Sequence, residues 1–325
     1  MPEDRTAYLV FESGGTKLVA GAAGANRRLI ETAVLRRGEN DVAETSLARL
    51  IEAGHELRRK HEEQGRKFAA AGFGFGGVVR RSAREAYRCL HEAGWEDIRV
   101  AERIEEAFGL PVAVENDCKL AALAEAHFGA GQGARTVFYM TIGTGVGGGI
   151  VRDGRIQELS DLGEAEIGHI VAAPEGPPCW CGGRGCVESV CSGPGMARLA
   201  DWMAREDANG WASSALAASA ASAGCVTSKQ LLESWRAGDP FAGRVVEQAA
   251  SYLATAIGAA INLTAPEVFV VGGGVGAGNS DYLALVSKKV SPLVVVYFRD
   301  RYRTVRCALG EDAVSQGAAI LASRI

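Results

Sequence analysis

Positive charge is not in surplus in this chain. Lys and Arg number 35 against 39 Asp and Glu, for a net charge of −4 and a pI near 5.9. A dedicated nucleic-acid binder is normally basic, so that class is disfavoured. Long apolar runs are missing as well. The longest, 253–274, is interrupted by Asn262, Pro266 and Glu267, too soon for a membrane-spanning helix. The first residues, Met1-Pro2-Glu3-Asp4-Arg5, are charged and lead straight into a strand pattern, so no secretory signal is expected and the cytoplasm is the expected location. Nor is there a dinucleotide fingerprint. The Gly-rich run Gly72-Phe73-Gly74-Phe75-Gly76-Gly77 has no following helix with an acidic partner at the required spacing. What remains is an ordinary globular composition, 47% apolar and 23% charged, in 325 residues. That length exceeds one ordinary core and favours two lobes.

Eight cysteines are present. Five of them (Cys89, Cys118, Cys191, Cys225 and Cys307) are scattered and read as reduced core thiols. The other three share a short window with one histidine, in the order His169, Cys179, Cys181, Cys186. Four nitrogen and sulfur ligands with none to spare suit a closed, structural Zn²⁺ site. Gly182, Gly183 and Gly185 allow a tight fold around an ion, and Pro177-Pro178 stiffen the approach. The alternative is a set of buried or redox cysteines beside an unrelated histidine.

Two segments repeat at an offset of 130 residues, aligning Arg5 with Arg135, Thr6 with Thr136 and Gly15 with Gly145. In each, an apolar strand reverses through glycines, at Gly14-Gly15 and at Gly143-Thr144-Gly145. The exposed N–H groups of such turns can form an anion-binding nest; each turn taken alone is equally an ordinary hairpin. The rest alternates as α/β. Helices are expected over 42–64, from an Asp97 cap to Phe108, over 117–128, 230–235, 239–263 and about 312–324. Strands are expected over 68–75, 111–115 and 267–271, the last feeding Gly272-Gly273-Gly274. The Ala/Ser tract 212–224 reads as a solvent-side helix or connector without chemistry.

The window Glu166-Ile167-Gly168-His169 followed by Cys179-Trp180-Cys181-Gly182-Gly183-Arg184-Gly185-Cys186-Val187-Glu188 resembles the signature of the ROK family of repressors and sugar kinases. The resemblance extends over nearly the whole chain. It implies a two-lobed α/β fold of the actin-like ATPase type, a duplicated ribonuclease H-like unit with a structural zinc site. The lobes are expected at 1–117 plus about 311–325, and at 118–310. Glu115-Asn116-Asp117-Cys118-Lys119-Leu120-Ala121-Ala122 matches the family's Glu-Asn-Asp-x-x-x-Ala-Ala. It implies Asp117 as the base that takes the sugar hydroxyl's proton, with Asn116 as a sugar ligand. An isolated Asp there would more simply be a helix N-cap. By the same resemblance Gly76, Gly77, Glu166, His169 and Glu188 contact sugar, with His169 also on zinc. Glu12, Gly14, Gly15, Thr16, Lys17, Gly143, Thr144, Gly145, Gly273 and Gly274 are implied around ATP and its Mg²⁺. Glu164 reads as a solvated neighbour.

Three departures from the family stand out. Gly76 replaces the usual Pro and loosens its loop. Cys118-Lys119 replaces the usual Ala-Asn; Lys119 reads as surface charge, the alternative being that it lines the cleft. Glu12 stands where most members have Asp, lengthening the carboxylate arm by about an ångström. That change is either tolerated, a shift of metal geometry, or a loss of activity. ROK fructokinases share Glu at this point, whereas the cysteine signature resembles glucokinases and N-acetylhexosamine kinases. The expectation is therefore an ATP- and Mg²⁺-dependent hexose kinase acting at O6. Glucose is the first candidate, then N-acetylmannosamine, N-acetylglucosamine or fructose. Lobe closure on sugar and a homodimer or homotetramer are expected from the family. The alternatives are a non-catalytic sugar-binding sensor of the same fold and a repressor. The repressor is disfavoured by the acidic charge and by a first strand that begins near Ala7.

Overall fold

The computed structural model describes residues 5–38, 41–89, 93–223 and 225–325. Met1-Pro2-Glu3-Asp4 and Gly224, which figured in the sequence reading, lie outside them. In chain order the elements are β1 (Thr6–Ser13), β2 (Lys17–Gly24), β3 (Leu29–Arg36), α1 (Ala43–Glu63), β4 (Lys67–Phe75), β5 (Val78–Arg80), β6 (Glu85–Arg88), α2 (Val100–Phe108), β7 (Val112–Asn116) and α3 (Asp117–Phe128). Then follow β8 (Thr136–Ile142), β9 (Val146–Arg152), β10 (Arg155–Ile156), α4 (Val187–Cys191), α5 (Gly193–Glu206), α6 (Ala208–Ala212), α7 (Ala215–Ala223), α8 (Ser228–Arg236) and α9 (Pro240–Thr264). The chain closes with β11 (Val268–Gly272), α10 (Ser280–Val290), β12 (Arg303–Arg306) and α11 (Ala313–Ala322).

Two five-stranded sheets share one plan. The first has the order β3-β2-β1-β4-β7 and the second β10-β9-β8-β11-β12. In the first sheet β1 and β2 are antiparallel, while β4 and β7 add in parallel. In the second, β11 and β12 add in parallel beside β8. The central strands are apolar on both faces, as parallel strands covered by helices must be, whereas edge strand β3 alternates at every residue. This is the duplicated α/β architecture.

Packing divides the chain into two compact units. The first holds Met1–Gly133, Gly149–Glu164 and Ala308–Ile325; the second holds Ala134–Gly148 and Ala165–Cys307. The lobe change expected after Asp117 thus falls inside a continuous segment, β7 to α3, that packs in the first unit. The reason is α11, which lies against α3, β1 and β4. The approach is close enough to demand glycine. A Cβ at Gly317 would meet Leu120 O at 2.0 Å, and one at Gly72 would meet Ala318 O at 2.3 Å.

Helix α2 begins two residues later than its expected Asp97 cap. Trp95–Asp97 forms a short 3-10 turn of its own, with Arg99 at the N-cap. The turn sinks Trp95 completely between Phe73 and Phe75, at 5.9 and 5.1 Å between ring centroids. The expected apolar face of α2 (Ala101, Ile104 and Phe108) is buried. Its stop, Gly109, adopts φ 63° with its N–H on Glu105 O at 2.7 Å. The Ala/Ser tract forms α7, its first residue, Ala212, closing α6.

Candidate active site

In the first unit, β1 ends at Glu12-Ser13 and turns through Gly14-Gly15-Thr16 to Lys17. The Gly14 N–H closes the turn on Lys17 O at 3.0 Å. Because β1 is covered on both faces, the Glu12 side chain is buried, 4% exposed. It accepts a hydrogen bond from Ser315 Oγ of α11 at 3.1 Å. Burial pushes its carboxyl up to about 7. Lys17 and the Ser315 hydroxyl act against that rise, and the charges of Asp117 and Asp312 add to it. Lys17 Nζ lies 3.5 Å from the exposed Glu311 carboxylate. Gly14, Gly15 and Thr16 leave the turn open, Gly15 and Thr16 being exposed.

Strand β7 delivers Glu115-Asn116-Asp117 to the same end of the sheet. Asn116, not Asp117, caps α3, its Oδ1 accepting from Cys118 N at 3.0 Å and Lys119 N at 3.3 Å. Asp117 is the first helical residue; its Oδ1 also accepts from the Cys118 N–H, at 2.7 Å. Asn116 Nδ2 donates to Gly77 O at 3.0 Å. The Gly76 N–H donates to Ser13 O at 2.8 Å, and a Cβ at Gly76 would sit 3.4 Å from Asp117 Oδ2. The first glycine turn, the Gly76-Gly77 loop and Asp117 are thus one cluster within one unit.

Two expectations beside this cluster fail. Lys119 is not surface charge but is 3% exposed, and Glu164 is 9% exposed rather than solvated. Glu164 forms a two-pronged ion pair with Arg81 at 2.8 Å on each oxygen. This pair and the Leu159 N–H hold its carboxyl below the usual range although burial alone would raise it. Each is buried because 159–164 folds onto β5 and α3, which local sequence does not reveal.

In the second unit, β8 turns through Gly143-Thr144-Gly145 into β9. The Val146 N–H donates to Glu188 Oε2 at 2.9 Å, so a carboxylate from α4 sits on the turn. Gly273, at φ 79°, lies where a Cβ would meet Ile142 O at 2.3 Å, which places Gly273-Gly274 against the end of β8. Beside them a cavity of about 840 Å³ is lined by Thr144, Arg198, Lys229, Arg236, Gly274 and Asn279 among others. Glu166 precedes the 3-10 turn that carries His169, and its carbonyl accepts from the His169 N–H at 3.0 Å. Ala165, just before it, is held at φ 62°, a left-handed conformation that costs a non-glycine residue about 1–2 kcal/mol.

The cysteine window closes on itself. One donor atom from each of His169, Cys179, Cys181 and Cys186 lies within 4.8 Å of every other. Cys179 Sγ is 3.7 Å from His169 Nδ1, and Cys181 Sγ is 3.7 Å from Cys186 Sγ. Gly185 is obligatory, since a Cβ there would meet Ala173 O at 1.5 Å. Burial pushes the Cys186 thiol up to about 12.

Sequence reasoning missed Ser315, Arg81 and Arg37, whose Nη2 donates to Ser13 Oγ at 2.7 Å. Each reaches its partner across the fold, 303 residues away for Ser315, so no local pattern marks it.

The ROK family model matches residues 8–325. A glucokinase of Halalkalibacterium halodurans is 31% identical over 94% of this chain and 92% of its own length. An N-acetylmannosamine kinase of Citrobacter koseri is 31% identical over 97% of this chain and 98% of its own. Among solved structures, a ROK family glucokinase from Streptomyces griseus, in complex with glucose and AMPPNP, superposes with a TM-score of 0.79. It is 29% identical and covers 98% of this chain and 100% of its own. The chain belongs to the ROK family, and within it to the sugar kinases.

Proposed function

We propose that the chain transfers the γ-phosphoryl group of ATP to a hexose hydroxyl, O6 of glucose being the first candidate. The observation that carries this reading is Asp117. It sits beside Glu12, with Oδ1 accepting from the Cys118 N–H at 2.7 Å and Oδ2 turned toward the Gly76-Gly77 loop. Asp117 accepts the hydroxyl proton as the sugar oxygen attacks, while Asn116 orients the acceptor. Glu166, Glu188 and His169 supply further donors and acceptors to sugar hydroxyls, penalising sugars that leave one unpaired. The glycine turns offer backbone N–H groups to phosphate oxygens, and the cavity beside Gly274 suits a nucleoside. A buried Glu12 raised by burial and by its acidic neighbours fits a cation: Mg²⁺ bound with ATP would neutralise charge on the phosphates. The expected experiment is ADP release with Mg-ATP across glucose, N-acetylmannosamine, N-acetylglucosamine, mannose and fructose. Turnover confined to one or two hexoses supports the reading. Silence on all of them, from folded protein that still binds one, supports a sensor instead.

The quartet fits zinc. Zn–S bonds of about 2.3 Å in a tetrahedron put sulfurs roughly 3.8 Å apart, close to the 3.7 Å between Cys181 and Cys186. Bound through Nδ1, His169 keeps Nε2 for a sugar hydroxyl, so zinc serves as scaffold. Metal analysis of the purified protein is expected to give one zinc per chain, with Cys181→Ser losing zinc and melting at lower temperature. A thiolate zinc site suits a reducing, cytoplasmic setting, where cysteines are kept from pairing.

A further inference from the structure

Arg81 follows β5, just beyond the Gly76-Gly77 loop, and is the hub of a buried ion network inside the first unit. Its Nε donates to Glu115 Oε2 at 2.9 Å, and its two Nη atoms donate to the two oxygens of Glu164 at 2.8 Å each. Nη1 also reaches Ser160 O at 2.9 Å. The other oxygen of Glu115, Oε1, accepts from the Asn116 N–H at 2.7 Å. Side-chain exposure is 13% for Arg81 and 5% for each glutamate. The segment bearing Glu164 is fastened further. Asp161 O accepts from the Arg81 N–H at 3.0 Å, and the Asp161 carboxylate takes the Ser82 N–H and hydroxyl at 2.7 and 2.9 Å. The Lys119 ammonium lies against Gly163, where a Cβ would stand 2.3 Å from Nζ. Two cations and two anions are thus packed together with formal charges that cancel.

Such a network adds little net stability, because desolvation of the charges offsets their attraction; what it fixes is geometry. Here the fixed geometry is that of Glu115-Asn116-Asp117. Arg81 holds Glu115, and Glu115 holds the Asn116 N–H. Asn116 in turn caps α3 with one side-chain atom and holds Gly77 O with the other. Nε and both Nη atoms of Arg81 act at once, a planar fork that a lysine ammonium does not reproduce.

We propose that Arg81 is a positioning residue for the acceptor sugar, its fork fixing the Glu115–Asn116 peptide and with it Asn116, Asp117 and the Gly76-Gly77 loop. The proposal rests on the sugar-kinase reading above. It is tested with full-length Arg81→Lys, Glu115→Gln and the double variant, varying hexose and Mg-ATP separately and recording thermal melts. Arg81→Lys keeps the charge and loses the fork. It is expected to raise KM for the hexose about tenfold or more and to leave KM for Mg-ATP within about twofold. Adding Glu115→Gln to it should cost little more, since both changes sever one chain of contacts. A folded Arg81→Lys with hexose KM within about twofold of the parent overturns the proposal, as does a loss shared equally by both substrates. Should the Arg81 variants not fold, Glu164→Gln, which leaves the Arg81–Glu115 contact in place, is read by the same split between the two KM values. Failure of the kinase reading shows separately, as a parent protein that phosphorylates no hexose. Calorimetric affinity for the hexose it binds best then decides, a loss of about tenfold in Arg81→Lys supporting the proposal and unchanged affinity overturning it.

Discussion

The β1–β2 hairpin of the first unit carries Glu12 in its own strand; at the equivalent place, 130 residues on, the β8–β9 hairpin of the second unit has Ile142. Both first strands are covered on both faces, and both turns are glycine-rich. In the first turn the carboxylate is built in and buried, at a desolvation penalty visible in its raised pKa. In the second it is borrowed: half-buried Glu188, 42 residues further along, reaches back to the Val146 N–H from the otherwise buried α4. The same strand–turn–strand plan thus yields one turn that is charged from within and one whose charge is set by another element. A built-in carboxylate gives a fixed acidic point beside Asp117, whereas a borrowed one ties the turn to the cysteine window that precedes α4.

The sharpest way to break this contrast is to remove the acidic partner of Glu12. Asp117→Asn is isosteric, and Asn116 still caps α3, so folding should be retained. Loss of a general base predicts a fall in kcat of about 10³-fold with melting temperature little changed. Steady-state ADP release and a thermal melt check both halves; a kcat within about tenfold of the parent would remove Asp117 from the base role.

Next in size is the built-in charge itself. The Glu12 carboxyl is raised from 4.5 to about 7 in the folded chain, so between those pH values the folded state holds a proton that the unfolded state has released. Its contribution to stability is fully present below pH 4.5 and is lost as pH rises through 7, amounting to about 3 kcal/mol. Glu12→Gln should therefore be more stable than the parent at pH 8, the gap closing toward pH 4.5, while KM for Mg-ATP rises. Urea unfolding at pH 5 and pH 8, without nucleotide, measures the gap at both ends. Equal pH slopes for parent and variant would mean that Glu12 is not the group responsible.

The smallest effect belongs to the second unit. The Ala165 carbonyl accepts from the Ile167 N–H at 2.7 Å and abuts Gly148 of β9, where a Cβ would meet it at 2.6 Å. Ala165 therefore keeps its left-handed backbone. Ala165→Gly should relieve about 0.5–1 kcal/mol after the extra freedom of an unfolded glycine is counted. A differential melt should show a rise of about 1–3 °C, with kcat unchanged.

Local patterns in the sequence read well wherever structure is local. Helix α3 runs over the expected 117–128, Gly109 stops α2, and His169 meets the three cysteines because one glycine-rich loop carries them. The parts that did not read are held by distant partners. Lys119 heads the apolar run Leu120-Ala121-Ala122-Leu123, but nothing local shows that Gly163 folds against its ammonium, and Glu164 pairs with an arginine 83 residues away. The role of Asn116 as cap is visible only once the end of β7 is placed.

The most direct test follows the phosphorus. ATP labelled at its γ-phosphoryl group is mixed with the purified protein, Mg²⁺ and glucose, and the label is followed with and without the sugar. The account predicts label on a hexose phosphate, with little free phosphate released when sugar is withheld. Label appearing as free phosphate at the same rate with and without sugar, and on no hexose, would contradict it.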